Sequence, residues 1–192
     1  IYFRNEADIT ECLVYNETLN EFTSLFDYDM PYLFNYNDDL IAVKNNKLYK
    51  QFAGDYLTFF ENNYDYFLSI TANQQPFMDK TFTNIGFKAD VLTNNLSEEG
   101  NSIYAALPFD TIKVWNEYQN TGEVDFENTI QKSYNKANLV KKFRIWHGDI
   151  PRDATHKLDR IRNLWSRIEL RGNYRDGQPN KVMIHDLEVS YV

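Results

Sequence analysis

PYLFNYNDDLIAVKNNKLYKQF, residues 31–52, decides the fold class. Tyr32, Phe34 and Tyr36 alternate, Asn37-Asp38-Asp39 turns the chain, and Leu40–Val43 runs back. Asn45-Asn46 turns it again, and Leu48 with Tyr49 leads out. Side chains of a strand point to opposite faces in turn, so period-two aromatics between polar corners predict short antiparallel strands. Asn tolerates left-handed dihedrals, which two-residue hairpin turns demand. Just upstream, ECLVYNETLNEFTSLFDY (11–28) repeats the grammar of strand, turn and strand, with Phe22, Leu25 or Phe26, and Tyr28 as apolar positions. Residues 1–60 therefore read as an antiparallel meander of the kind a propeller blade uses. Ile1 opens directly into a strand-like IYF without a Met, so the meander is expected to continue an upstream domain.

Composition agrees with an all-β chain. Aromatics make up 16% of the 192 residues, with 14 Tyr and 14 Phe, and there are more than twenty Asn. Tyr and Phe suit a pleated, half-buried surface, and Asn suits the corners between strands. Cys12 is the single cysteine, so no intrachain disulfide forms and no Cys-based metal site exists. No apolar run reaches the roughly 18–20 residues that span a bilayer, and no signal peptide opens the chain.

Beyond the break at Gly54-Asp55-Tyr56, residues 64–72 (YDYFLSITA), Lys80–Val91 and 109–118 (FDTIKVWNEY) read as strands. Asn94–Asn101 reads as a polar loop tip, and the polar stretch Gln119–Asn138 as the most flexible loop. Val140–Trp146 and Trp165–Arg171 read as strands flanking an irregular basic loop, Ile150–Leu164, with one helical turn allowed in it. Asn173–Asn180 is a hairpin turn with Asp176-Gly177 at its tip. Along Val182–Val192 the alternation of Leu187, Val189 and Tyr191 is out of phase with Val182 and Ile184, which predicts a bulge near His185-Asp186. Residues 61–192 are thus expected to form a β-sandwich with long loops.

Charge is divided unevenly. Residues 139–192 hold eleven Lys+Arg against seven Asp+Glu, a balance of +4, so the preceding 138 residues carry −12 of the total −8. The basic part contains Arg144, Arg152, Arg160, Arg162, Arg167, Arg171 and Arg175, with Trp146 and Trp165 among them. Arg beside Trp is typical both of nucleic-acid surfaces and of protein–protein hot spots. The net charge of −8 would repel a polyanion from most faces, which favours a protein partner. Within the loop 147–164, His147, Asp149, Asp153, His156 and Asp159 include metal-ligand types. They match no ligand spacing, however, and are interleaved with Arg152, Lys157 and Arg160, so ion pairing with arginine is the better expectation. No nucleophile elbow, P-loop or dinucleotide fingerprint is present, and no cofactor or enzymatic reaction is expected. Subunit-interface residues are expected at Trp146, Arg152, Arg160, Arg162, Trp165 and Arg167.

Three segments in order, NEFTSLFDYDMPYLFNYNDDLIAVKNNKLYKQFAGDYLTFF, FDTIKVWNEYQNTG and FRIWHGDIPRDATHKLDRIRNLWSRIEL, resemble the C-terminal region of virion structural proteins of crAss-like bacteriophages. The group is that of the stabilisation or tail muzzle proteins, and the likeness covers most of 20–170. No catalytic residue comes with it. The resemblance implies a structural component of a phage tail, set in a cyclic assembly below the portal and made in the bacterial host cytoplasm. Its partners would be other tail proteins and copies of itself, near DNA or cargo in a tail channel, without a membrane anchor. A carbohydrate- or host-surface-binding module at the tail tip is the alternative, since exposed aromatics stack on sugars.

Overall fold

A computed structural model describes residues 2–4, 10–26, 32–93, 107–127, 136–155, 158–173 and 180–192. The expected tip 94–101, most of the hairpin turn 173–180, and His156 lie outside the described residues. Among those described there is no helix. The chain divides into two compact units, Ile1–Gly54 and Asp55–Val192.

The first unit holds two three-stranded antiparallel meanders. One comprises β1 (Tyr2–Arg4), β2 (Thr10–Asn16) and β3 (Glu21–Phe26), and the other β4 (Tyr32–Tyr36), β5 (Asp39–Lys44) and β6 (Lys47–Lys50). The corners are those the asparagines announce. Asn37-Asp38 and Asn45-Asn46 all take positive φ, between 46° and 66°, as a twist-matched hairpin turn requires. In the second meander Tyr32 faces Val43, Phe34 faces Ile41, and Val43 in turn faces Leu48. Residues opposed in this way share a sheet face, so Tyr32, Phe34, Tyr36, Ile41, Val43 and Leu48 lie on one side. Ala42 is fully buried on the other.

The second unit opens with a small hairpin, β7 (Thr58–Phe59) and β8 (Asn62–Asn63). Its main sheet contains β9 (Tyr66–Ala72), β10 (Lys80–Thr93), β11 (Thr111–Trp115), β12 (Asn120–Glu127), β13 (Lys136–Lys142), β14 (Ile145–Asp149), β15 (Arg162–Asn163), β16 (Ser166–Gly172) and β17 (Asn180–Tyr191). The order runs β10-β14-β13-β12-β11-β16-β9, with β17 on the other side of β10 and the short β15 beside its start. The all-β expectation holds, and the layers that face each other across the core are arms of one curled sheet. Phe87 on β10 and Phe126 on β12 are three strands apart, about 14 Å in a flat sheet, yet their ring centroids are 6.5 Å apart. Phe87 also meets Phe109 edge to face at 5.5 Å. Curling lets one sheet bury its own concave face, where Ile85, Ile112, Val114, Leu139, Ile168 and Leu170 are fully enclosed.

Several local expectations meet the structure directly. The bulge near His185-Asp186 is present: Lys88 pairs with Asp186 and Ala89 with Ile184, leaving His185 as the extra residue. Freed from the ladder, His185 donates from Nε2 to Asp90 Oδ2 at 2.9 Å. That bond, helped by the charge of Arg144 and opposed by burial, holds the Asp90 carboxyl below its ordinary value. Gly172 lies directly opposite Tyr66, whose ring covers it and whose hydroxyl donates to the Pro108 carbonyl. A side chain at 172 would occupy the place of that ring.

Two expectations are corrected. Gln119–Asn138 is not one loop: 120–127 form β12 and 136–138 begin β13, which pairs with β12 in parallel. Thr121 and Phe126 are buried there, and the polar residues between them hide the period from a reader of the sequence. Residues 140–146 are not one strand either, because the chain reverses at Phe143-Arg144 between β13 and β14. Both residues are bulky and carry a positive φ, so nothing in their types signals a turn.

Candidate functional site

The basic loop expected at 147–164 is a closed structure with both ends tied to β10. Ile150 N donates to Thr83 O at 2.9 Å, and Phe82 N donates to Ile161 O at 3.0 Å. Successive residues of one strand thus hold the two ends of the loop together, and the buried Ile150 and Ile161 anchor it in the core. This is an Ω-loop, compact and fastened at its neck.

Inside it, Asp153 is fully buried. Its Oδ1 accepts from Thr155 N (2.8 Å), Thr155 Oγ1 (2.7 Å) and Asn120 N (3.4 Å). Its own N–H donates to Asp159 O at 2.9 Å, and Ala154 N donates to Asn120 O at 3.0 Å. The carboxylate therefore organises loop backbone. The far end is clamped by Gln119, whose Nε2 donates to Arg160 O (2.9 Å) and whose Oε1 accepts from Arg162 N (2.7 Å). Asp149 accepts from Asn84 Nδ2 at 3.0 Å. Among the described residues no group of three His, Cys, Asp or Glu side chains could hold a metal ion.

The expected interface residues fall into four settings. Arg152 and Arg160 are exposed and line one cleft of about 250 Å³ with Phe82, Thr83, Asn84, Asp149 and Ile150. Arg152 Nη1 also donates to Leu158 O at 3.4 Å. Arg162 is exposed and pairs with Asp79 at 3.2 Å, while Trp165 is half-buried. Arg167 points from the outer face of β16, where its guanidinium lies 5.6 Å from the Trp115 ring and its Nε donates to Ser69 Oγ at 2.9 Å. Trp146 is corrected: only 1% exposed, it belongs to the core, opposite Phe87. Trp115, between Lys113 at 5.2 Å and Arg167, is the one on the outer face, and its phase against Ile112 and Val114 carried that signal.

Chemically, two guanidiniums in a polar cleft fit a carboxylate, and the Trp115–Arg167 pair offers a flat, amphipathic contact.

Comparison with known proteins supplies the family. The sequence model of the Crassvirus muzzle protein C-terminal domain matches residues 54–153, and that of the Crassvirus muzzle protein matches residues 1–46. The chain belongs to the Crassvirus muzzle protein family. A relative named "Muzzle protein", from Bacteroides phage crAss001, is 35% identical over 198 aligned residues. That alignment takes in 99% of this chain and 13% of the relative, so the chain spans about an eighth of that protein's length.

Proposed function

We propose that this chain is a structural part of a phage virion, working through contacts with other tail proteins and with copies of itself in a ring. Family membership supports the virion role, and the observation that carries the contact role is the Ω-loop cleft. Arg152 and Arg160 project from a loop fastened at both ends and face solvent. Exposed charge on a rigid support is of use to a partner of opposite sign, and the first 138 residues of a neighbouring copy carry −12. The Trp115–Arg167 pair and the half-buried Trp165 extend the contact with aromatic anchors. In this reading the chain has no reaction to perform.

The double substitution Arg152→Glu/Arg160→Glu tests it. In the phage, particles should fail to incorporate the protein, while the purified variant keeps the parental melting midpoint, since neither side chain is buried. Normal particles carrying the variant would overturn the assignment.

One observation favours a second reading, binding to host-surface carbohydrate. Tyr32, Phe34 and Tyr36 all project to solvent from one face of β4, the arrangement sugar stacking needs. A glycan array should then give hits that Tyr32→Ala/Tyr36→Ala removes. An array without hits for the parental chain would reject this reading.

A further inference from the structure

We infer that the β13–β14 hairpin is a knob that seats on the aromatic face of the first unit of a second copy of this chain. The inference rests on the assembly role proposed above and names a contact that role leaves open.

The turn itself supplies the first argument. Among the described residues four two-residue hairpin corners carry positive φ at both positions: Asn37-Asp38, Asn45-Asn46, Phe60-Glu61 and Phe143-Arg144. Two use residues that tolerate the left-handed region, and two use residues for which it is strained. Phe60 is half-buried. Phe143 is 87% exposed, at φ 52°. Among the described residues its ring meets the Lys142 ammonium, at 5.6 Å. Strain retained for a bulky apolar side chain that its own fold leaves in water points to use outside the fold.

The hairpin is also held in place. Arg144 reaches Asp90 at 3.6 Å, and Lys141 lies 5.1 Å from the buried Trp146 ring. The knob is therefore a rigid Phe ringed by Lys141, Lys142 and Arg144. It fits a surface that is both apolar and acidic.

The first unit has such a surface. Tyr32, Phe34, Tyr36 and Leu48 share one face of its second meander and are all exposed. Residues 1–54 contain nine Asp+Glu against four Lys+Arg; Asp38 sits at the corner beside Tyr36, and Asp39 there is paired with Lys50 at 2.8 Å. A positive aromatic knob and an aromatic face on a unit of net negative charge are complementary in charge as well as in polarity. A knob on one patch and a socket on another make a heterologous contact, which propagates from copy to copy and closes only if the geometry allows a ring.

Sedimentation velocity on the whole chain over a concentration series tests this. The parental chain should self-associate, and Phe143→Asn should weaken association by about thirtyfold, the loss expected of a hot-spot residue. Phe143→Asn should leave the melting midpoint unchanged or raised, because Asn tolerates the turn; a purely structural Phe would lower it. Tyr32→Ala/Tyr36→Ala should weaken association equally. Mixed together, the two variants should form dimers and nothing larger, since one intact knob meets one intact socket. Self-association unchanged by Phe143→Asn, or a parental chain that stays monomeric, would overturn the inference without touching the Arg152/Arg160 assignment, which particle incorporation judges separately. A single-stranded oligonucleotide bound by the parental chain and lost in Phe143→Asn, with self-association unaltered, would reassign the knob to nucleic acid.

Discussion

Trp146→Ala should unfold the second unit or bring it near that point, with a loss of about 3–5 kcal/mol in stability. The ring is among the largest fully enclosed side chains, lies opposite Phe87, and carries the Lys141 ammonium above it. Removing it leaves a cavity in a close-packed concave face that the ladders on both sides of β14 cannot collapse to fill. A loss of that size is comparable with the whole stability of a marginal domain. Urea unfolding followed by circular dichroism is the check. Trp146→Phe should lose much less, because among the described residues the indole Nε1 has no hydrogen-bond partner to forfeit. If Trp146→Ala kept the parental midpoint while abolishing assembly, the ring would be an interface residue after all, and its placement in the core would be wrong.

Asp153→Ala should cost about 3 kcal/mol and release the Ω-loop from its fixed shape. A buried carboxylate that accepts from Thr155 N, Thr155 Oγ1 and Asn120 N leaves three donors short of a partner when it is removed. The bonds are part-buried, and donors stripped of their acceptor there cost about what the bonds themselves are worth. Asp153→Asn keeps an acceptor oxygen and should recover part of the loss. Hydrogen exchange provides the readout: amides of 150–155 and 158–161 should exchange faster in Asp153→Ala, while those of β11 and β16 remain protected. Unchanged exchange in the loop would show that the two neck bonds to Phe82 and Thr83 suffice to hold it.

The two substitutions separate the roles of the chain's aromatic and acidic residues. Trp146 supports the sheet on which the loop is built, and Asp153 shapes the loop that presents Arg152 and Arg160. Under the proposed assembly role, neither would meet a partner itself, and each would act through the placement of Arg152 and Arg160.

What the sequence determined by itself is local. Strand type, the Asn-rich corners of residues 31–52 and the bulge at His185 follow from period-two alternation and from which residues accept a left-handed φ, and these are properties of neighbours along the chain. The Phe143-Arg144 corner escaped because its residues contradict that preference. Long-range pairing imposed the turn, since β13 and β14 both sit in the interior of the sheet. Only tertiary structure decided which tryptophan is inside. Curling gave the sheet one concave face, and burial on that face selected Trp146 and left Trp115 outward beside Arg167. Asp153 likewise became a loop organiser because Asn120, thirty-three positions away, delivers its amide there. A carboxylate's partners are fixed by which groups the fold brings within hydrogen-bond reach, and a contact made across thirty-three positions has no local signature in the sequence.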